Sequence, residues 1–303
     1  MSLGNLNETE DFLKFAETYL KNYFQNIERT KNKVICKNNI TTEFIIDDVN
    51  KTASDEFAIK RCYSVVTLLP TNFDLKIIAV MNNFSALSSF VSFEDEQQTK
   101  CINRFYEYEG ENIHQRFLIP SLITAAITNE RILHQVSKKV VSKEEFIKGS
   151  DYEEVESRWL TNSEFEETQS FLKNRFVCTA SKNGMTVEFP WEKGALSAAT
   201  GHQTSLLEIL TENKHPHFGS GLFCKLSLPV QPTDKSVIVN KLNLNEFSNP
   251  DAPPFIGSWC AGFKGMQTEF VCFFPNNVYF KGIVKNITMW MFTRAIMAKS
   301  FLE

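Results

Sequence analysis

The stretch that decides the fold is the hexapeptide YLKNYF at residues 19–24, because it recurs with small changes as FLKNRF at residues 171–176. A second word follows in the same order. ITTEF at residues 40–44 resembles MTVEF at residues 185–189, and a short strand is predicted at each place. Self-similarity at a fixed interval is the sequence signature of repeated structural units.

A third word completes the series, since FLIP at residues 117–120 resembles CFFP at residues 272–275, and a helix is predicted after each. Chance is the alternative, because a chain rich in Phe, Asn and Lys repeats short words. Three words in one order favour an internal duplication. The charged, weakly periodic residues 138–162 suit a connecting segment, so the predicted modules are residues 1–148 and 149–303.

The predicted elements also have the same order in both halves. Residues 7–27 carry an apolar stripe with helical spacing, and Ser163 with Glu166 has the spacing of a helix capping box. Apolar, β-branched runs predict strands at residues 62–69 and 75–81, and residues 84–95 are predicted to be a helix. The fold class is therefore α+β, with two tandem modules. Each is an antiparallel sheet flanked by helices in the order α-β-β-β-α-β-β-α.

The remaining predictions complete this pattern. Further strands are expected at residues 34–36, 41–46, 177–180, 186–191, 205–210 and 222–228. Hairpins are expected at 104–119 and 259–274, and helices at 122–136, 163–176, 237–247 and the C-terminal segment.

Composition disfavours several functional classes. The chain of 303 residues has 27 Phe but only 12 Gly, and it contains neither a P-loop nor a G-x-G-x-x-G motif, which cradle phosphates through close backbone approach. The 32 basic and 36 acidic residues give a net charge of −4 without a basic stripe, so nucleic-acid binding is not expected.

Localisation is predicted from two features. The longest uncharged apolar stretch, at residues 117–128, is shorter than the ~20 residues of a membrane-spanning helix. The 7 cysteines form no close pairs, which is typical of a reducing cytoplasm rather than a disulfide framework. We therefore expect a cytoplasmic protein that does not associate with a membrane.

The order of elements resembles the type III secretion chaperone-like fold that YbjN-type proteins share. The likeness is greatest in the second half, where a helix containing LNLN at residues 242–245 precedes a hairpin and a long last helix. The resemblance covers both halves as a pattern of elements. It implies binding of a protein or peptide without chemistry, and it supplies no catalytic motif. It also implies that two modules in one polypeptide form a pseudo-dimer.

Aromatic residues are the candidate partner-binding residues. Trp191, Phe218, Phe255 and Trp259 fall at predicted strand ends or in loops, where such side chains anchor bound partners. The alternative is that they complete the hydrophobic core of their own module.

The histidines give the alternative function, which is an enzyme or small-molecule binder with its site in the cleft between the modules. His202, His215 and His217 are its first candidates. His215 and His217 flank a proline and are assigned to a loop rather than to a metal site. No catalytic or metal-binding residue and no cofactor is assigned, and a structural subunit of a larger assembly is a third possibility.

The predicted function is therefore non-enzymatic binding of a protein or peptide partner, in the manner of a chaperone or adaptor. The expected mechanism is addition of an extended strand at an exposed sheet edge. The sequence does not indicate an oligomeric state.

Overall fold

The computed structural model describes residues 9–21, 24–37, 40–51, 59–69, 72–83, 85–108, 162–191, 203–211, 214–215, 219–230, 234–249, 251–261, 268–276 and 281–302. Several predictions lie outside these residues. They are the helix at 122–136, the second strand of the hairpin at 104–119, the word at 117–120 and the linker at 138–161.

The first module contains two helices, six strands and a short 3₁₀ turn at Glu94–Glu96 among its described residues. In chain order they are α1 (Thr9–Leu20), β1 (Asn26–Arg29), β2 (Lys33–Lys37), β3 (Thr41–Lys51), β4 (Ile59–Leu68), α2 (Leu75–Asn83), β5 (Ser89–Phe93) and β6 (Gln98–Tyr108).

Among the described residues, the second module repeats this order and adds one short strand and one helix. Its elements are α3 (Asn162–Leu172), β7 (Val177–Ser181), β8 (Gly184–Pro190), β9 (Thr204–Leu210), β10 (Lys214–His215), β11 (Gly219–Ser227), α4 (Lys235–Ser248), β12 (Ser258–Cys260), β13 (Glu269–Pro275) and α5 (Ile283–Leu302).

The two sheets have the same topology. The strand order is β1-β2-β3-β4-β6-β5 in the first and β7-β8-β9-β11-β13-β12 in the second, with β10 paired beside β11, and every neighbouring pair is antiparallel. The prediction of an α+β protein with two tandem sheet modules is confirmed. Each module has four main strands before its second helix, one more than the predicted order contains. In the first module the missed strand is β1, because α1 ends at Leu20 and not near residue 27.

The shared topology corrects the second of the three sequence words. Residues 41–44 of this word belong to β3, whose counterpart by position is β9, whereas residues 185–189 belong to β8. Residues 272–275 lie in β13, but the other half of the third word, residues 117–120, lies outside the described residues. The first word pairs equivalent positions, at the ends of α1 and α3, where Leu20 and Leu172 are both fully buried.

Residues 75–81 form a helix, so the predicted strand is wrong. The Asp74 carboxylate accepts a hydrogen bond from the Lys76 N–H at 2.8 Å. The main-chain carbonyl of Asp74 accepts one from the Ile78 N–H at 3.0 Å, so the helix starts after Asp74. Ile78, Ala79 and Asn82 then lie on one buried face. The helix predicted at residues 84–95 is also wrong, because β5 lies there and pairs with β6.

The helices of the first module cover one face of its sheet. Phe44, Val65 and Phe105 lie on that face and are buried in one cluster with Phe12 and Leu13 of α1. Alternation along each strand places every second side chain toward the helices.

The second module is built in the same way. Val187, Leu207 and Ile209 are buried on the sheet face that α5 covers, together with Ile287 and Met291 of that helix. Residues of both modules belong to one continuous hydrophobic cluster.

Away from the junction, the opposite face of each sheet is half-buried and carries ion pairs across neighbouring strands. The Lys33 Nζ lies 3.1 Å from a Glu43 carboxylate oxygen, and the Lys225 Nζ lies 2.5 Å from one of Glu208. Each sheet therefore has a helix-covered face and a more open, polar face.

Candidate functional site

Two buried asparagines occupy equivalent positions on α2 and α4, beside the junction of the two modules. The Asn82 amide donates to the Phe90 carbonyl at 2.9 Å and accepts from the Phe90 N–H at 2.8 Å. The Asn243 amide makes the same pair of bonds with Trp259, at 3.1 Å and 2.8 Å. Each amide side chain thus replaces a neighbouring strand along the edge of β5 or β12.

Two equivalent serines connect these motifs across the junction. The Ser89 hydroxyl lies within hydrogen-bond distance of the Gly257 carbonyl, at 2.7 Å, and of the Asn243 side-chain oxygen, at 3.0 Å. The Ser258 hydroxyl lies 2.9 Å from the Asn82 carbonyl. Gly257 has φ +118°, and a Cβ there would lie 2.2 Å from the Val271 carbonyl oxygen, so the close approach requires glycine.

Main-chain hydrogen bonds also cross the junction in matching pairs. The Arg104 N–H donates to the Phe255 carbonyl at 3.2 Å, and the Phe273 N–H donates to the Ala86 carbonyl at 2.7 Å. Ala86 and Phe255 precede β5 and β12 by the same interval, three residues before Ser89 and Ser258. The junction is therefore pseudo-twofold, like the interface of a symmetric dimer in which the same patch serves both subunits.

A buried ionic cluster lies on the second module's side of the junction. The Arg294 Nε donates to the Glu246 carboxylate at 2.5 Å, and the Trp259 Nε1 donates to its other oxygen at 2.8 Å. Burial raises the pKa of Glu246, an effect that the Arg294 charge opposes. The Arg104 guanidinium donates to main-chain carbonyls at the end of α4, those of Glu246 at 2.8 Å, Asn249 at 2.5 Å and Phe247. Arg104 belongs to the first module, so its bonds to these carbonyls join the modules, whereas the contacts among Arg294, Glu246 and Trp259 lie within the second.

The inner edges of both sheets are closed by these contacts. Beyond Phe90, the next outward-facing main-chain groups of β5 are those of Ser92. They pair with the Asn240 amide of α4, at 2.9 Å for the Ser92 N–H and 3.2 Å for its carbonyl. On β12 the main-chain N–H and carbonyl of Trp259 pair with the side-chain amide of Asn243. A further strand cannot add at β5 or β12 without displacing a buried side chain.

The outer edge of the first sheet is β1, and it carries charged side chains. Its outward-facing residues are Ile27 and Arg29, since the N–H of Thr30 bonds the carbonyl of Lys33 on β2. The Arg29 guanidinium lies 3.2 Å from the Glu10 carboxylate of α1. Charges on an edge strand hinder pairing with another chain.

The outer edge of the second sheet is β7, whose sequence Val-Cys-Thr-Ala-Ser contains no charge and no proline. The outward-facing main-chain groups are those of Cys178 and Ala180, because the hydrogen-bonded register of β8 directs Val177, Thr179 and Ser181 toward β8. The Gln169 amide of α3 donates to the Cys178 carbonyl at 2.8 Å.

In the described part of the chain, no hydrogen-bond partner is seen for the N–H of Cys178 or for the N–H and carbonyl of Ala180. The edge of β7 is the candidate functional site. Sequence analysis predicted the strand but did not identify its edge as a site. The available signal was a strand without charges next to a tight turn at residues 182–183.

The structure places the predicted partner-binding aromatics in the interior. Phe255 and Trp259 are 0 % and 1 % exposed at the junction, and Trp191 is 9 % exposed. Phe218 lies outside the described residues. The burial of the three described side chains supports the alternative interpretation, in which they complete the core of their own module.

The histidine candidates lie at the margin of what the structure describes. His202 and His217 fall outside it, and only the backbone of His215 is placed, in β10. Across the described ranges, no group of three or more His, Cys, Asp or Glu residues could hold a metal ion. The junction formed by Ser89, Asn243 and Ser258 is packed and buried, not an open cleft.

Two further observations concern localisation and relationship. Among the helices in the described segments, none is long and apolar enough to cross a membrane. Comparison with protein-family models, with curated proteins and with solved structures finds no match to this chain.

Proposed function

We propose that the chain is a non-enzymatic protein- or peptide-binding protein of the chaperone or adaptor type. The observation that carries the proposal is the contrast between the two ends of each sheet. The inner edges are occupied by Asn82, Asn240 and Asn243, whereas the outer edges lie away from the junction. Binding by strand addition uses a sheet edge whose main-chain groups are available.

The pseudo-twofold junction supports the proposed resemblance to the type III secretion chaperone-like fold, since it makes one polypeptide a pseudo-dimer. The proposed compartment is the cytoplasm. All seven cysteines lie among the described residues and none forms a disulfide, as expected for a protein in a reducing environment.

An affinity pull-down from the lysate of the source organism tests the proposal, with mass spectrometry and a size-matched control protein. We expect one or two partners in stoichiometric amounts. Hydrogen–deuterium exchange of the isolated complex should then show added protection along an outer strand. Failure to enrich any protein or peptide over the control would contradict the proposed function.

A further inference from the structure

We infer that the β7 edge is the docking site and that its occupant is an uncharged, extended peptide segment with alternating apolar and polar side chains. This inference rests on the proposed function and deepens it, because it names one edge and one class of ligand.

The hydrogen-bonding groups of the edge match an extended peptide. The N–H of Cys178 and the N–H and carbonyl of Ala180 supply two donors and one acceptor on one line. A strand beside β7 pairs with all three groups, since outward-facing residues alternate along an edge strand. The Cys178 carbonyl keeps its bond from Gln169 and has a second lone pair for the peptide.

The side chains beside the edge differ between the two faces of the sheet. On the helix-covered face, Cys178 and Ala180 are half-buried against the core together with Phe176. Cys178 and Ala180 are small, so a strand beside them places apolar side chains over partly buried apolar surface. On the open face, Val177, Thr179 and Ser181 are exposed. Polar or β-branched peptide side chains fit there.

Electrostatics favour an uncharged segment. The five residues of β7 include no ionisable group other than Cys178, whose pKa is raised by burial to about 11, so the strand is neutral at physiological pH. A charged peptide side chain on the helix-covered face would lose hydration without an opposite charge on the strand. The equivalent strand β1 carries Glu28, paired with Lys37 at 2.8 Å, and Arg29, paired with α1. The two outer edges therefore differ in the property that controls strand addition.

The length of the edge favours a peptide over a second copy of the chain. A strand of five residues spans about 17 Å. A contact between two copies limited to this edge would bury less than the ~1,200 Å² of a stable interface. A peptide that binds weakly needs no larger interface, so it suits an edge of this length.

The test measures fluorescence anisotropy of a fluorescein-labelled peptide, SVTVTVS, with the full-length chain. Ala180→Pro removes an outward-facing donor, and proline is tolerated where the N–H of an edge strand faces solvent. Ile27→Pro makes the matched change on β1. We expect Ala180→Pro to weaken binding by about tenfold or more. We expect Ile27→Pro to leave the affinity within about twofold.

A second pair of variants covers the case in which a proline disturbs folding, which circular dichroism would show. Thr179→Lys adds a charge to the edge strand, and Thr186→Lys adds one to the residue directly opposite on β8. Both threonines are exposed. Only Thr179→Lys should weaken binding of SVTVTVS. The charged peptide SVTKTVS, in which lysine replaces the central valine on the helix-covered side, should bind the unmodified chain more weakly than SVTVTVS.

Three results would overturn the inference. They are no binding of SVTVTVS at millimolar concentration, loss of binding in Ile27→Pro but not in the β7 variants, and a concentration-dependent dimer that Ala180→Pro abolishes in sedimentation. The last result would assign the edge to a second copy. The pull-down decides the proposed function separately, so a partner recovered despite these results would leave that function standing.

Discussion

Two asparagines in equivalent places show how single residues define the junction. Asn82 and Asn243 each satisfy both main-chain groups of one strand residue, and both are buried. An asparagine amide can donate and accept at once, so it can imitate a neighbouring strand at one position. Buried main-chain groups that lose such a partner are costly, because water cannot reach them.

Asn243→Ala is expected to lower the free energy of unfolding by about 2–4 kcal/mol, since it leaves the N–H and carbonyl of Trp259 without partners. Asn82→Ala should have a similar effect through Phe90. Urea denaturation measures both values. The control is Asn245→Ala on α4, expected to change stability by no more than about 0.5 kcal/mol. Equal stability of Asn243→Ala and Asn245→Ala would contradict the assigned role.

Cysteine reactivity gives a second prediction at this scale. Burial raises the pKa of Cys178 to about 11 from a reference value of 9.0, and the pKa of Cys101 to about 12. The thiolate is the reactive form. At about pH 8, Cys178 in the folded protein should therefore react with iodoacetamide about a hundredfold more slowly than in the urea-unfolded chain.

The rate at Cys178 should rise with pH as its pKa is approached, and fully buried Cys101 should react only after unfolding. Peptide mapping by mass spectrometry measures each site. Similar rates for Cys178 in the folded and unfolded chains at about pH 8 would show that its pKa is not raised.

At the scale of elements, helix α2 shows what the sequence could and could not predict. Its apolar, β-branched residues indicate a strand when taken alone, yet Asp74 begins a helix and Asn82 fixes that helix to β5. Both contacts depend on residues beyond the segment. By contrast, α1, α3, α5 and the hairpin of β7 with β8 were predicted, because local spacing and a tight turn determine them.

The candidate site was harder to predict for the same reason. Which edges are open depends on contacts between residues far apart in sequence, such as Asn240 with Ser92. The helical stripe of α4 did contain a signal, since Asn240 and Asn243 share its buried face. Asparagine on an apolar helix face needs a partner, but the sequence does not show that the partner is a strand edge in the other module.

The start of α2 can be tested directly. Asp74→Ala removes the side-chain acceptor for the Lys76 N–H and should cost about 1 kcal/mol of stability. Asp74→Asn should retain most of that stability, because its side-chain oxygen can accept the same bond. Thermal denaturation followed by circular dichroism gives the comparison. If Asp74→Ala and Asp74→Asn are equally stable, the carboxylate does not cap the helix.

At the scale of the whole molecule, the modules share main-chain hydrogen bonds, buried serines and one hydrophobic cluster. Arg104 of the first module donates to the carbonyl groups at the end of α4 in the second. These contacts couple the folding of the two sheets, because neither can separate without exposing buried polar groups.

Scanning calorimetry should therefore show one cooperative transition, with a calorimetric enthalpy about equal to the van't Hoff enthalpy. Arg104→Ala should lower stability by about 3 kcal/mol, since it removes a guanidinium that donates to three main-chain carbonyls. Arg175→Ala, at an exposed arginine, is the control, with an effect of about 0.5 kcal/mol or less. Two well-separated transitions in the unmodified chain would contradict this coupling.

The pseudo-twofold junction also has a consequence for stoichiometry. In a true homodimer one gene encodes both halves, so every substitution appears twice and the assembly keeps two identical binding sites. In a single chain the two halves can differ, and they do so here. Asn240 bonds Ser92, whereas the equivalent position on α2 is Ala79. The outer strands also differ, since β1 carries charged side chains and β7 carries none. A peptide that docks on β7, as inferred above, would therefore find no equivalent edge on β1, and the expected stoichiometry is one peptide per chain.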